Sequence, residues 1–219
     1  MSRQLDYHVL SDETVGHGGF LTLRRLRLKI RRPDGTLSPE GLYDFVQRPI
    51  GLDAVVLVLW HRRQDGVVEV LLRDGLRVPL HFGREERRAQ PPQRHTEVVA
   101  GILEVGEEDL DGIRRRAADE AHEEAGLSVD AQAVTVLGPA SFPTAGMCPE
   151  LFHFVACEVS ATQKSGAQVP PGDGSPFEEG AQLRWISLDD ALAECRSGQI
   201  SDMKSELGLR RLADYLASR

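Results

Sequence analysis

Cysteine is scarce in this 219-residue chain: the three, Cys148, Cys157 and Cys195, share no metal-ligand spacing and cannot all pair with one another. That excludes a disulfide framework or a cysteine zinc site as the organising device and predicts reduced thiols in a cytoplasmic protein. Aromatic residues are few, at 5%, and neither arginine-rich stretch, "LRRLRLKIRR" or "REERRAQ", interleaves them. No stacking platform for nucleic acid is therefore expected. Positive charge is not in excess either. Lys+Arg number 26 against 34 Asp+Glu, a formal net charge of -8, which argues against nucleic acid or an anionic membrane as the main partner. Long apolar runs are missing: "AVVLVLW" at 54–60 falls well short of the ~20 residues a membrane-spanning helix needs and fits a buried strand. The start, "MSRQLDYHVL", lacks a basic segment followed by an apolar one, so no secretory signal is expected.

What is present is an ordinary globular mixture, 41% hydrophobic and 27% charged, long enough for one domain with an appendage. In "FLTLRRLRLKIRRPDGTL", Leu26, Leu28 and Ile30 alternate with basic residues, as in a half-buried strand. Asp34-Gly35 supplies a turn, and Asp65-Gly66 another between "AVVLVLWHRR" and "VVEVLLR". Residues 79–95 are polar and turn-rich and are expected to be a loop; "EVVAGILEV" is extended and ends near Gly106. Strands are also expected at "AVTVLG", "ELFHFVACEV" and "LRWIS", and residues 161–180 form the longest apparent loop. "LDDALAECRSG", capped by Ser187, and "SELGLRRLADYLAS" read as two closing helices. Residues 1–48, with few bulky apolar side chains, are expected to form a small β-rich element on an α/β domain at 49–219.

The helix with chemistry runs from Ile113 to Ala125, where Ile113, Ala117 and Ala121 recur at helical spacing between a cap at Asp109 or Asp111 and a stop at Gly126. Its sequence "AADEAHEEAGL" stacks Glu120 over Glu124, with Glu123 beside them. Like charges at that spacing repel by a few tenths of a kcal/mol per pair. A hard divalent cation held by carboxylate oxygens and a backbone carbonyl would remove that repulsion and bridge to a diphosphate. Zinc does not suit the stretch, because no histidine or cysteine joins it at ligand spacing. The alternative is a solvated acidic face.

Gly101, Glu107 and then "EAHEEAGL" resemble the Nudix box, G-x5-E-x7-R-E-U-x-E-E-x-G-U, where U is bulky aliphatic. Two features depart from it. The halves stand four residues further apart, and Asp119 occupies the arginine position. Four residues are close to one helical turn, so the carboxylate face is expected to keep its direction, with Arg115, at the x7 spacing, pairing with Glu107. "EVVAGILEVGE", "LLRDGLRVP" and "FPTAGMCPELFHFVACEV" further resemble stretches of ADP-ribose pyrophosphatases, so the similarity spans nearly the whole chain.

The resemblance implies a Nudix α/β/α sandwich with a mixed sheet, plus the small N-terminal β element, and a homodimer sharing those N-terminal segments. It implies Mg²⁺ (or Mn²⁺) held by Glu120, Glu123, Glu124 and the Ala100 carbonyl. It also implies hydrolysis of the diphosphate bond in ADP-ribose or a related nucleoside diphosphate sugar. Arg77, Glu97 and Gly101 are candidate substrate contacts. Met147 reads as a packing residue of its loop and stands with them. Glu124 is also a candidate catalytic residue, and Glu150, Glu178 and Glu179 are the candidates for the carboxylate that takes a proton from water. Three other readings stand beside this one: a Nudix hydrolase for a dinucleoside polyphosphate, NADH or a coenzyme A derivative; a nucleotide-binding Nudix protein with weakened catalysis; and a structural protein with an acidic surface helix.

Overall fold

The computed structural model describes residues 6–15, 19–84, 94–165 and 180–219. The chain divides into two units, residues 1–52 with 142–151 and residues 53–141 with 152–219.

The first unit is an antiparallel sheet of β1 (Asp6–Val15), β2 (Thr22–Arg31) and β3 (Gly41–Gln47), in that order. Alternation along β2 separates two surfaces. Leu26, Leu28 and Ile30 line an apolar groove with Tyr43, Phe45 and Met147. Arg25 pairs with Asp44 at 2.6 Å, and Arg27 with Glu40 at 2.5 Å. The Asp34-Gly35 turn forms as its residues dictate, with Gly35 at φ +88 and the Asp34 carboxylate accepting from the Thr36 N–H. Residues 142–151 are tied to this sheet by a Val46 N–H to Met147 carbonyl bond of 2.9 Å and by the Tyr43 hydroxyl on the Gly146 carbonyl at 2.8 Å.

The second unit holds a seven-stranded mixed sheet: β4 (Ala54–Arg62), β5 (Val68–Leu76), β6 (Arg94–Glu97), β7 (Val99–Ile102), β8 (Thr135–Val136), β9 (Phe152–Glu158) and β10 (Gln182–Ser187). The order is β10-β5-β4-β9-β8, with β6 on β5 and β7 on β4; β4 and β9 run parallel and the other pairs antiparallel. Among the described residues five α-helices accompany it: α1 (Val78–Phe82), α2 (Leu110–Ala125), α3 (Ala161–Ser165), α4 (Leu188–Ser197) and α5 (Met203–Ala217). The apolar run 54–60 is the central strand, buried on both faces. Val55, Leu57 and Leu59 meet Ile113, Ala117, Ala121 and Ala125 of α2; Val56, Val58 and Trp60 meet Leu188 and Ala191 of α4 and Leu209 and Leu212 of α5. The result is the expected α/β/α layering with a separate small antiparallel sheet. Among the described residues no helix is long and apolar enough to cross a membrane.

Local departures from the sequence reading have local causes. Helix α2 starts at Leu110 because Asp109 caps it, accepting from the Gly112 N–H at 2.6 Å; it ends at Gly126, φ 64. The expected loop at 79–95 begins with the short helix α1, with proline in its first turn, and gives way to β6 at Arg94. Helix α3 opens the stretch expected as the longest loop.

One feature of the sheet positions the site. β4 and β5 pair only at Trp60–Arg62 with Val68–Val70, and beyond that they part. Residues 94–102 fill the gap, pairing first with β5 (Arg73↔Glu97) and then with β4 (Val56↔Ala100). Val98 lies at the switch, and its N–H, buried and unable to join either ladder, donates to the Ser205 hydroxyl at 2.8 Å. Asp202 caps α5 through the Ser205 N–H at 3.0 Å and also takes the Lys204 ammonium at 2.9 Å.

Burial alone would raise the Asp202 carboxyl, but His95, Lys204 and Ser205 outweigh it and hold the group well below the usual range. Its folded-state value is depressed, so its contribution to stability is complete above the ordinary carboxylate range, about 4. It is lost as pH falls through the lower folded-state value. Asp202→Asn keeps a good cap and removes the charge. The variant is expected to unfold about 1.5–3 kcal/mol more easily at pH 7, with the difference shrinking in acid, as read by denaturant titrations from pH 7 to 2.

Candidate active site

Four residues spaced four apart, Gly112, Arg116, Glu120 and Glu124, form one row along α2, and the row faces the sheet's gap. Glu120 and Glu124 are only 8% and 5% exposed. The Glu120 side chain crosses directly over β7: a Cβ on Gly101 would stand 1.6 Å from its Oε1 and 2.4 Å from its Cγ. Only glycine leaves that space. Glu124 turns its Oε2 to the Ala100 N–H, 3.0 Å away, and its Oε1 lies 3.6 Å from Nη1 of buried Arg73. Glu123 is half-buried beside them.

The loop before the helix is fixed by the same row. A Cβ on Gly112 would meet the Glu107 backbone at 2.4–2.6 Å, so glycine lets the loop press against the helix. Glu107 then accepts from Arg116 Nε at 3.0 Å and from the Glu104 N–H at 2.9 Å. Burial would raise the Glu107 carboxyl, but the hydrogen bonds from Arg116 and Glu104 outweigh it and hold the group below its ordinary value. This corrects the expectation for Arg115. Arg115 is exposed, and the partner of Glu107 is Arg116, because Arg116 stands directly in row with Gly112 and Glu120 while Arg115 is turned by about 100° around the helix.

A second group of charges lies where β5 and β6 pair. Glu97 is 1% exposed; its Oε1 receives Arg77 Nε at 2.8 Å and lies 3.8 Å from Arg73 Nη1, and its Oε2 receives Lys204 Nζ at 2.6 Å. Burial would raise Glu97, yet the Lys204 and Arg77 charges outweigh it and hold it low. Burial would lower Lys204, yet Glu97 and Asp202 hold it high. The Arg77 side chain remains 43% exposed. Arg73, Lys204 and Arg116 went unassigned in the sequence. The signal for Arg73 was there: it continues the buried run Val70–Leu72, and β alternation puts it on the α2 side with Leu71.

Among the described residues, two places offer donors for a divalent cation. Donor atoms of His95, Glu97 and Asp202 lie within 4.8 Å of one another. That group does not fit an ion, because the Lys204 ammonium already sits on both carboxylates. Glu120 and Glu124 do fit: hard oxygen donors, nearly buried, laid over a strand end that a side chain would block. Mg²⁺ is commonly held by one or two carboxylates together with substrate phosphates, not by an all-protein cage.

Glu150 and Met147 belong to the first unit, where Glu150 is held by Arg48 at 2.5 Å and Met147 is exposed at the apolar groove. Glu178 and Glu179 lie outside the described residues.

A solved structure repeats this architecture. The crystal structure of an ADP compounds hydrolase superposes with a TM-score of 0.66 at 13% identity, over 97% of this chain and 95% of that one. A NUDIX hydrolase from Alicyclobacillus acidocaldarius (TM-score 0.47, 13% identity, 72% of this chain and 89% of that one) is also similar. So is a T. brucei MERS1–RNA complex (0.48, 15%, 68% and 55%). No curated protein sequence matches the chain. The family model for the NUDIX domain matches residues 61–204, a span that holds β5, residues 94–102, the α2 row and the Lys204 anchor. On that match, the chain belongs to the Nudix hydrolase family.

Proposed function

We propose that the protein hydrolyses the diphosphate bond of ADP-ribose or a related nucleoside diphosphate sugar, in a Mg²⁺- or Mn²⁺-dependent reaction giving a nucleoside monophosphate and a sugar phosphate. The observation that carries this reading is the pair Glu120 and Glu124, buried side by side over Gly101. The likeness to an ADP compounds hydrolase over nearly the full chain supports the substrate class.

Glu120 and Glu124, with Glu123 and the Ala100 carbonyl, would hold the cation. A strand residue's N–H and C=O leave by the same edge, and the Ala100 N–H already meets Glu124. When bound, the ion supplies Lewis-acid stabilisation of charge developing on the phosphates and a more acidic water. Arg77 contributes the phosphate contact. Glu97 takes its Nε and Nη2 and leaves Nη1 for a charge-assisted hydrogen bond. Glu97 itself, pinned by two cations, orients and does not accept a proton. Arg116 does for Glu107 what the box arginine would do at position 119, which favours an active enzyme over a binding protein. The water's proton is assigned to Glu178 or Glu179 on the family resemblance. The exposed apolar residues of the first unit, Leu42, Tyr43 and Phe20 among them, support a homodimer formed through the N-terminal sheet.

A panel of ADP-ribose, nucleoside diphosphate sugars, NADH and dinucleoside polyphosphates, each with Mg²⁺ or Mn²⁺ and a coupled phosphatase, tests the reading. Phosphate release is expected from ADP-ribose or a nucleoside diphosphate sugar and none without the ion. Glu124→Gln is expected to lower turnover by more than the roughly 10–100-fold that outer-shell changes cost, with an unchanged circular dichroism spectrum; near-normal turnover would remove Glu124 from the site. In Gly101→Ala the new methyl must displace Glu120, so Mn²⁺ affinity measured by calorimetry is expected to fall at least about tenfold.

A further inference from the structure

The charges of the second unit form a continuous series from one helical layer to the other. It starts at the N-terminus of α5, where Asp202 holds Lys204 at 2.9 Å and Ser205 is bonded to Val98. Lys204 Nζ reaches Glu97 Oε2 at 2.6 Å; Glu97 Oε1 lies 3.8 Å from Arg73 Nη1, and the same Nη1 lies 3.6 Å from Glu124 Oε1 on α2. Arg73, Glu97 and Glu124 are each at most 5% exposed, so water screens little of their mutual attraction. A guanidinium nearly equidistant from two buried carboxylates divides between them according to what else each one has. Glu97 takes Lys204 and Arg77, and the contacts of Glu124 include the Ala100 N–H.

We infer that Lys204 is a positioning residue for the cation-binding helix: by satisfying Glu97 from the α5 side, it leaves Arg73 to hold Glu124 in place. Lys204 touches neither the proposed cation ligands nor a substrate-facing group other than through Glu97. Without it, Glu97 keeps its charge and draws Arg73 toward itself, away from Glu124. The inference rests on the reading of Glu120 and Glu124 as cation ligands, but its first test needs no cation.

That test is a double-mutant cycle in EDTA, with Lys204→Met and Glu124→Gln, read by chemical denaturation. Side chains that share no partner combine additively, whereas members of one network do not. The double variant is expected to depart at least about threefold, in its unfolding equilibrium constant, from the product of the separate effects. The corresponding cycle with Lys164→Met, which breaks the ion pair to Glu69 elsewhere in the same unit, is expected to be additive within about twofold. If Lys204→Met does not fold, Lys204→Gln, which keeps a donor to Glu97 and loses the charge, takes its place with the same expectation. The second readout is Mn²⁺ affinity. Deleting a nearby positive charge would by itself tighten cation binding, so a 10–100-fold weakening in Lys204→Met, with Lys164→Met unchanged, reports lost placement. An additive Lys204–Glu124 cycle, or Mn²⁺ binding that is unchanged or tighter, overturns the inference even if the wild type hydrolyses its substrate. A non-additive cycle in a protein that binds no Mn²⁺ would instead overturn the assignment of the ligands, and with it the positioning role.

Discussion

A carboxylate buried in an apolar interior must be met by positive charge or hydrogen bonds, or it destabilises the fold by several kcal/mol. That constraint organises the second unit at the place where β4 and β5 part. Glu97 is met by Lys204 and Arg77, Glu124 by Arg73 and the Ala100 N–H, and Glu107 by Arg116 and the Glu104 N–H. Glu120 lies over Gly101 within the field of Arg116. The compensating groups come from β5, β7, α2, α5 and the loop positions 77 and 104, so the carboxylates staple β5, β6, β7, α2 and α5 together. The same arrangement leaves Glu120 and Glu124 adjacent at one end of the series, where the proposed divalent cation would meet carboxylate oxygens.

Backbone geometry makes the arrangement possible. The strand 94–102 changes partner at Val98, and the interruption that costs it a ladder bond is repaired by Ser205. Close approach then depends on two missing side chains. Gly101 lets Glu120 cross the strand, and Gly112 lets the Glu107 loop reach Arg116. The longer loop between the box halves is thereby absorbed as a longer start to α2, and the arginine that steadies the loop comes from one turn earlier in the helix.

Much of this was legible in the sequence. The run 54–60 fitted a buried strand, and the Ile113, Ala117, Ala121 spacing specified α2 and its packing side. The carboxylates at 120 and 124 followed from helical geometry, and the family resemblance supplied the architecture around them. What was not legible depended on a distance or an angle. Arg115 and Arg116 are adjacent in sequence, and choosing between them requires the start of the helix and its rotation, which Asp109 and Gly112 set together. Lys204 is remote from Glu97 in the chain, and nothing in the local pattern of "SDMKSELG" announces that its ammonium is buried against two acids. Arg73 was readable in principle, as a charge continuing an apolar strand at an inward position, but its partners come from β6 and α2 and are fixed only by the fold.

Membership in the Nudix hydrolase family and the geometry at Glu120 and Glu124 support the proposed diphosphate chemistry assisted by a divalent ion. The claim on which this depends is where the ion sits. Crystals grown with Mn²⁺ and a non-hydrolysable nucleoside diphosphate sugar, with data collected at the manganese edge, locate it directly. The account predicts an anomalous peak about 2.1 Å from carboxylate oxygens of Glu120 and Glu124. A peak at His95, Glu97 and Asp202 instead, or no peak beside α2 with nucleotide bound, would contradict it.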